Sequence, residues 1–289
     1  MKILFVSDTH GNLDCINSLA RKHGASYCFH AGDVCCFDRE SIPFFSDLEL
    51  RRMIEHSEFS GRINEKTSRG ELERIAAEGG VYGDFHKYVT GEKRFDIPVF
   101  AVMGNREDLC VVAALRQDPI ANFTVLDDHD PILIGGFAFF GIGGTFSEEC
   151  LAQEPKAKGR IYPVISRRQL QRLAEAADAI PPEYKRVFIT HMGPAEDPAT
   201  QLPARRYAAD YVFSGHTHHF SARDWYCRQE DAILELHDRY GWETAAPIPG
   251  RDRSLTLNFN LPKASRGYMI VATDGSGDDI SFRYYNKES

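Results

Sequence analysis

The chain has 289 residues, 43% hydrophobic and 26% charged, the composition of an ordinary folded domain with material for a substantial core. Its formal net charge of −8 excludes broad, sequence-independent binding of long nucleic acid, though not a phosphate substrate, because bound dications reverse the potential of an acidic pocket. No apolar run approaches a membrane span, and seven cysteines without a Cys-x-x-Cys pair read as reduced thiols in a cytoplasmic protein.

In chain order, residues 2–7 are apolar and β-branched and predict a buried strand leading into Asp8-Thr9-His10. That run is too short for a secretory signal and is followed by no cleavage site. Residues 12–23 carry Leu13, Ile16 and Leu19 at helical spacing, and residues 27–30 predict a second strand ending at Gly32-Asp33. Cys35 and Cys36, directly after it, read as small core residues, since neighbours on a strand point to opposite faces. Residues 38–97 are long and charged and read as a cap insertion, with helices expected at 48–54 and 70–77. Arg51, Arg52, Lys87 and Lys93 there could meet phosphates, but a solvated helix face is the plainer expectation.

Residues 98–103 predict a strand leading to Gly104-Asn105-Arg106-Glu107. The run Gly135-Gly136 to Gly143-Gly144 lacks the following helix of a phosphate-binding loop and reads as a strand end and tight turn. Ser166 is a good N-cap for a helix over 166–179 carrying Leu170 and Leu173. Strands over 186–190 and 211–214 lead to Thr190-His191 and Gly215-His216-Thr217-His218. Residues 223–253 read as a second insertion; 255–259, 268–273 and 280–285 read as antiparallel strands with a hairpin over 274–278, before a frayed tail at 286–289. The alternation of strand and helix predicts an α/β fold in a single domain, 1–289, with its polar clusters beyond the C-terminal ends of the strands.

Those clusters supply seven donors: Asp8, His10, Asp33, Asn105, His191, His216 and His218. Each alone has a plain explanation: a helix cap for Asp8, a core histidine for His191, a turn for Asn105, a surface loop for 215–218. Together, each after a strand, they match the mixed nitrogen and oxygen ligation of two divalent ions such as Mn, Fe or Zn. Two such ions about 3.5–4 Å apart can hold a bridging hydroxide and clamp an in-line displacement at phosphorus. His219 is expected to be exposed or behind the ligands, and His30, His129 and His237 have no motif around them.

The order Asp-x-His, Gly-Asp, Gly-Asn, His and Gly-His-x-His resembles the calcineurin-like metallophosphoesterase superfamily from Lys2 to about Phe220. The resemblance implies a four-layer α/β/β/α sandwich and a dinuclear hydrolase. It implies that Asp8, His10, Asp33 and His218 hold one ion and Asp33, Asn105, His191 and His216 the other, with Asp33 and His216 part of the catalytic apparatus. That family has His after the Asn; this chain has Arg106, whose pKa above ~12 rules out proton donation and suits a phosphate clamp. Pairing of Arg106 with Glu107 or Asp108 is the alternative. Patches at Phe85-His86-Lys87-Tyr88, Gly91-Glu92-Lys93, His216–Phe220 and Asn260-Leu261-Pro262 are similar to the RNA lariat debranching enzymes, although those commonly have Cys where this chain has Asp8. The expected activity is hydrolysis of a phosphodiester, nucleotide or RNA favoured, with no membrane or obligate protein partner. A phosphomonoesterase or protein Ser/Thr phosphatase, and a metal-binding scaffold, are the alternatives. Against the protein phosphatase, the pair Asp38-Arg39 stands at an offset from Asp33 that does not match.

Overall fold

The computed structural model describes residues 1–55, 59–78, 85–127, 129–145, 161, 165–193, 209–225, 256–274 and 280–287. Its strands are β1 (Lys2–Val6), β2 (Tyr27–His30), β3 (Val99–Ala101), β4 (Phe123–Val125), β5 (Ile132–Ile134), β6 (Phe137–Ile142), β7 (Lys185–Thr190), β8 (Tyr211–Ser214), β9 (Ser221–Trp225), β10 (Thr256–Asn260), β11 (Gly267–Thr273) and β12 (Ile280–Asn286). The α-helices are α1 (Asp14–His23), α2 (Asp47–Glu55), α3 (Arg69–Ala77), α4 (Phe85–Val89), α5 (Leu109–Gln117) and α6 (Arg167–Asp178). One six-stranded sheet has the order β12-β11-β1-β2-β3-β4 and the other β5-β6-β7-β8-β10-β9.

Alternation along each strand builds the layers. In β1, Ile3 and Phe5 face the second sheet and Leu4 and Val6 face helices. The core between the sheets is aromatic: Phe5 stacks on Phe213 at 3.8 Å between ring centroids, and Phe29 on Phe139 at 3.9 Å. The outer face of the first sheet is covered by Leu13 at the N-cap of α1, Ile16 and Leu19 of α1, Phe85 and Tyr88 of α4, and Val112 and Leu115 of α5. That of the second sheet is covered by Leu173, Ala174 and Ala177 of α6, whose start is fixed by the reciprocal capping box of Ser166 and Gln169. The result is the four-layer α/β/β/α sandwich.

Two expectations about the chain's course change. The strand expected at 255–259 is β10, which leaves the terminal hairpin: it runs parallel to β8 and antiparallel to β9 in the second sheet, while β11 and β12 pair with each other in the first. Alternating apolarity cannot say which sheet a strand joins. The stretch 38–97 divides in two. Residues 39–55 and 59–77 form a helical lobe with its own apolar cluster of Phe37, Ile42, Phe45, Leu50, Ile54, Leu72 and Ile75, whereas Phe85, Tyr88 and Phe95 return to the main core. Of the second stretch, 223–225 complete β9 and 226–253 lie outside the described residues, as does the turn at 275–279.

Candidate metal centre

The loops after β1, β2, β3, β7 and β8 meet at one edge of the sandwich. The β1 and β2 loops stay zipped beyond the strands: Asp8 N–H donates to Gly32 O, His10 N–H to Asp33 O and Gly11 N–H to Val34 O, at 3.0–3.1 Å. Asp8, His10, Asp33, His216 and His218 all have φ between 46° and 71°. Five non-glycine residues in the left-handed region cost about 1–3 kcal/mol each, so surrounding contacts must hold them there. Glycines permit the close packing. A Cβ on Gly104 would run into the Asp33 carboxylate and amide, and one on Gly215 into Ser7 Oγ and Asp8. At Gly32, with φ +91°, a Cβ would stand 2.5 Å from His191 Nδ1. The glycines before Asp33, Asn105 and His216 are there for room beside the next loop.

All seven expected donors come to this edge. Ligand atoms of Asp8, His10 and His218 lie within 4.8 Å of one another, and so do those of Asp8, Asp33 and His191. Asp33 reaches both groups, with Oδ1 3.4 Å from His191 Nε2 and Oδ2 3.9 Å from His10 Nε2. His216 packs its ring edge-on to His191, centroids 5.2 Å apart. The Asn105 amide end is 3.2 Å from His191 Nε2 and 3.1 and 3.3 Å from the two Asp33 oxygens.

Contacts behind the donors aim them. His191 Nδ1 donates to Ala31 O at 2.9 Å, which leaves Nε2 as the atom facing the pocket. His10 Nδ1 stands 3.8 Å from Cys35 Sγ, with Nε2 turned inward. Asp8 Oδ2 accepts from Ser7 Oγ at 2.5 Å and His216 N at 3.1 Å, leaving Oδ1 to His218 Nε2 at 3.1 Å.

The electrostatics fit a cation site. Burial alone would raise Asp8, but the hydrogen bond from His218 and the charge of His191 hold it below the usual carboxylate range. Burial alone would lower His191, but Asp33 and Asp8 outweigh it and raise this imidazole. The carboxylates thus draw positive charge onto the cluster. Asn105 gives the same test: its neighbours call for its NH2 group in a cation-free pocket and for its carbonyl oxygen beside a bound cation. Acidic oxygens, imidazoles and one amide turned inward are a donor set for divalent ions.

Several anchoring residues were not read from the sequence. Glu107 is fully buried; its carboxylate accepts from Val34 N at 2.8 Å, Cys36 N at 2.6 Å and Gly104 N at 3.3 Å, tying the second and third loops together. Burial, with the charge of Asp33, pushes it up to about 7 against those amides. Asp127 accepts from Met103 N at 2.7 Å and from Gly143 N. Asn260 accepts from Ser214 Oγ at 3.1 Å and donates to His219 O at 2.6 Å and to Thr217 Oγ1, bracing the loop that carries His216 and His218. Asp127 and Asn260 come at or just past the ends of β4 and β10, so a polar residue closing an apolar run was the available signal.

Other expectations are corrected or refined. Cys36 and Cys35 are both core residues as expected, in different clusters, and Cys35 also lies against His10. Arg51 donates to Asn64 O and Thr67 O, and Lys93 pairs with Asp14, so neither waits for a phosphate. Phe85 and Tyr88 are core side chains, so that patch carries packing rather than substrate information. Glu107 is engaged by backbone amides, and Arg106, half-buried, has no ion-pair partner among the described residues. His219 and His129 are exposed, His30 is buried, and His237 lies outside the described residues.

A paired-sheet sandwich carrying acids and imidazoles on its loop edge defines the class: a metal-dependent hydrolase. The sequence model of the calcineurin-like phosphoesterase family matches residues 1–220, and the chain belongs to that family. It is a metal-dependent phosphoesterase, of a family that generally uses two divalent ions. No curated protein matches it in sequence. Among solved structures it is similar to a protein from Thermus thermophilus (12% identity, TM-score 0.50, 99% of this chain and 98% of that one). It is also similar to a purple acid phosphatase from yellow lupin (Lupinus luteus) seeds (10% identity, TM-score 0.53, 100% of this chain and 52% of that one). At such identities the likeness is one of fold.

Proposed function

We propose that the chain hydrolyses a phosphodiester, with a nucleotide or RNA as the favoured substrate class, at a centre of two divalent ions. Asp8, His10, Asp33 and His218 would hold one ion and Asp33, Asn105, His191 and His216 the other. The observation that carries this reading is the reach of Asp33 to both His10 and His191. Two bound ions would supply Lewis acidity at the phosphoryl oxygens and a water of lowered pKa. The chain's own residues do the rest. The Ala31 carbonyl fixes the His191 tautomer, and Ser7 and the His216 amide fix the Asp8 carboxylate. Arg106 is assigned to clamp a phosphoryl oxygen; its guanidinium, without an ion pair among the described residues, supports that role, and it donates hydrogen bonds without giving up a proton.

The protein-phosphatase alternative loses support at Asp38-Arg39: Asp38 caps the helical turn Arg39–Phe44 through Ser41 N at 3.0 Å, and Arg39 is exposed. The lobe over 39–77 is proposed as a cap. Ser41 Oγ bonds Asp108 Oδ2 at 2.5 Å, and Cys35, part of the lobe's cluster, touches His10. A cytoplasmic setting is supported by five free thiols among the described residues, at Cys15, Cys28, Cys35, Cys36 and Cys110. Among the described residues no helix is long and apolar enough to cross a membrane.

The test is hydrolysis of a bis-aryl phosphate against a mono-aryl phosphate with Mn²⁺, with metal analysis of the same preparation. Cleavage of the diester supports the proposal. Cleavage of the monoester alone replaces it with a phosphomonoesterase, and cleavage of neither with metals bound replaces it with a scaffold.

A further inference from the structure

Two cations stand next to donor residues along the backbone, Arg106 directly after Asn105 and Lys263 opposite Ser7, and the second lies beyond the region that the family model matches. Lys263 is brought there by the tail. After β10, Leu261 is fully buried and its N–H donates to Ser214 O at 2.7 Å. Lys263 then pairs with Ser7 as an isolated parallel bridge, and Ala264 N–H donates to Ser7 O at 2.9 Å. Arg266 N and Gly267 N close a turn on Lys263 O at 2.7 and 3.2 Å. The backbone of Lys263 is therefore fixed alongside the residue before Asp8, between buried Leu261 and Ala264.

The ammonium end has no such partner. Lys263 is half-buried and pairs with no carboxylate among the described residues. Its charge bears on His10, two residues beyond Asp8, whose preceding residue Ser7 lies opposite Lys263. Arg106 approaches from the other neighbour of His10: its charge acts on Cys35, whose Sγ is 3.8 Å from His10 Nδ1. Two cations without an ion pair among the described residues, beside a centre proposed to take cations, are tolerable where an anion is to be bound.

We propose that Lys263 is a substrate-binding residue, its ammonium contacting non-bridging oxygens of a phosphate ester on the Asp8–His10–His218 side of the centre, together with Arg106. This rests on the phosphoesterase reading above. Substrate recognition is thereby shared between the five clusters and the tail that follows them.

The experiment titrates metal-loaded wild type, Lys263→Ala and Lys263→Arg with inorganic phosphate by calorimetry, with metal content and diester kinetics from the same samples. Lys263→Ala is expected to keep its metal, to bind phosphate about tenfold more weakly and to raise KM more than it lowers kcat. Lys263→Arg should recover most of the phosphate affinity. Unchanged phosphate affinity in Lys263→Ala, or loss of its metal, overturns the assignment and leaves the reading of the site intact. A metal-loaded wild type that neither binds phosphate nor cleaves either aryl ester removes that reading, and the assignment with it.

Discussion

The donor edge and the helical lobe at 39–77 are held in opposite ways. At the edge, loops lie in left-handed backbone with no space for a methyl group, and buried acids tie them together. In the lobe, ordinary helices surround a small apolar cluster, and arginines bridge the segments: Arg69 donates to Phe45 O at 2.5 Å, Pro43 O at 3.2 Å and Ile42 O at 3.3 Å, and Arg51 to Asn64 O at 2.6 Å. The contrast separates two tasks. Positions of charge must be accurate to a fraction of an ångström where ions are to be held, whereas the proposed cap can vary if its cluster stays filled.

The harshest way to break the comparison is Gly104→Ala. Its methyl enters the space of the Asp33 carboxylate. Expected are loss of bound metal and a fall in turnover of about a thousandfold or more, ~4 kcal/mol. Metal analysis and steady-state kinetics check this, and a metal-loaded, active Gly104→Ala would mean that the edge yields. The counterpart in the lobe is Leu72→Ala, which empties a fully buried site and should cost about 2–4 kcal/mol by denaturant titration. Its metal content should match the wild type; metal loss there would show that lobe and edge are one unit.

The effect smallest near neutral pH concerns His30, behind the edge. Its Nε2 is 3.0 Å from Thr9 Oγ1, and its Nδ1 has no hydrogen-bond partner among the described residues. Burial pushes it down to about 3. An unfolded histidine takes its proton near pH 6.5, so between about pH 6.5 and 3 the unfolded chain binds more protons. Stability then falls as pH drops, by at most ~1.4 kcal/mol per pH unit from this group. Unfolding free energy of His30→Gln should decline less steeply over that window; parallel curves would mean that His30 is not held neutral.

The two regions also differ in how they could be read. The donor clusters were legible because each is a short string of rare residue types after an apolar run, and the chemistry depends on those types. The lobe helices at 48–54 and 70–77 were legible from apolar spacing, their ends shifting by at most one residue to Asp47–Glu55 and Arg69–Ala77. What escaped depends on partners distant in the chain. Asp127 matters because Gly143 and Met103 present amides to it, Asn260 because β10 runs beside β8, and Cys35 because a left-handed turn brings it to His10. A single sequence encodes such pairings without displaying them.

The central claim is that seven side chains from five loops grip two cations. Titration of metal-free protein with Mn²⁺, followed by calorimetry and by electron paramagnetic resonance, tests it most directly. The account predicts saturation at two ions per chain, with the spectrum of a coupled pair. Saturation at one ion, or two uncoupled ions, would contradict it.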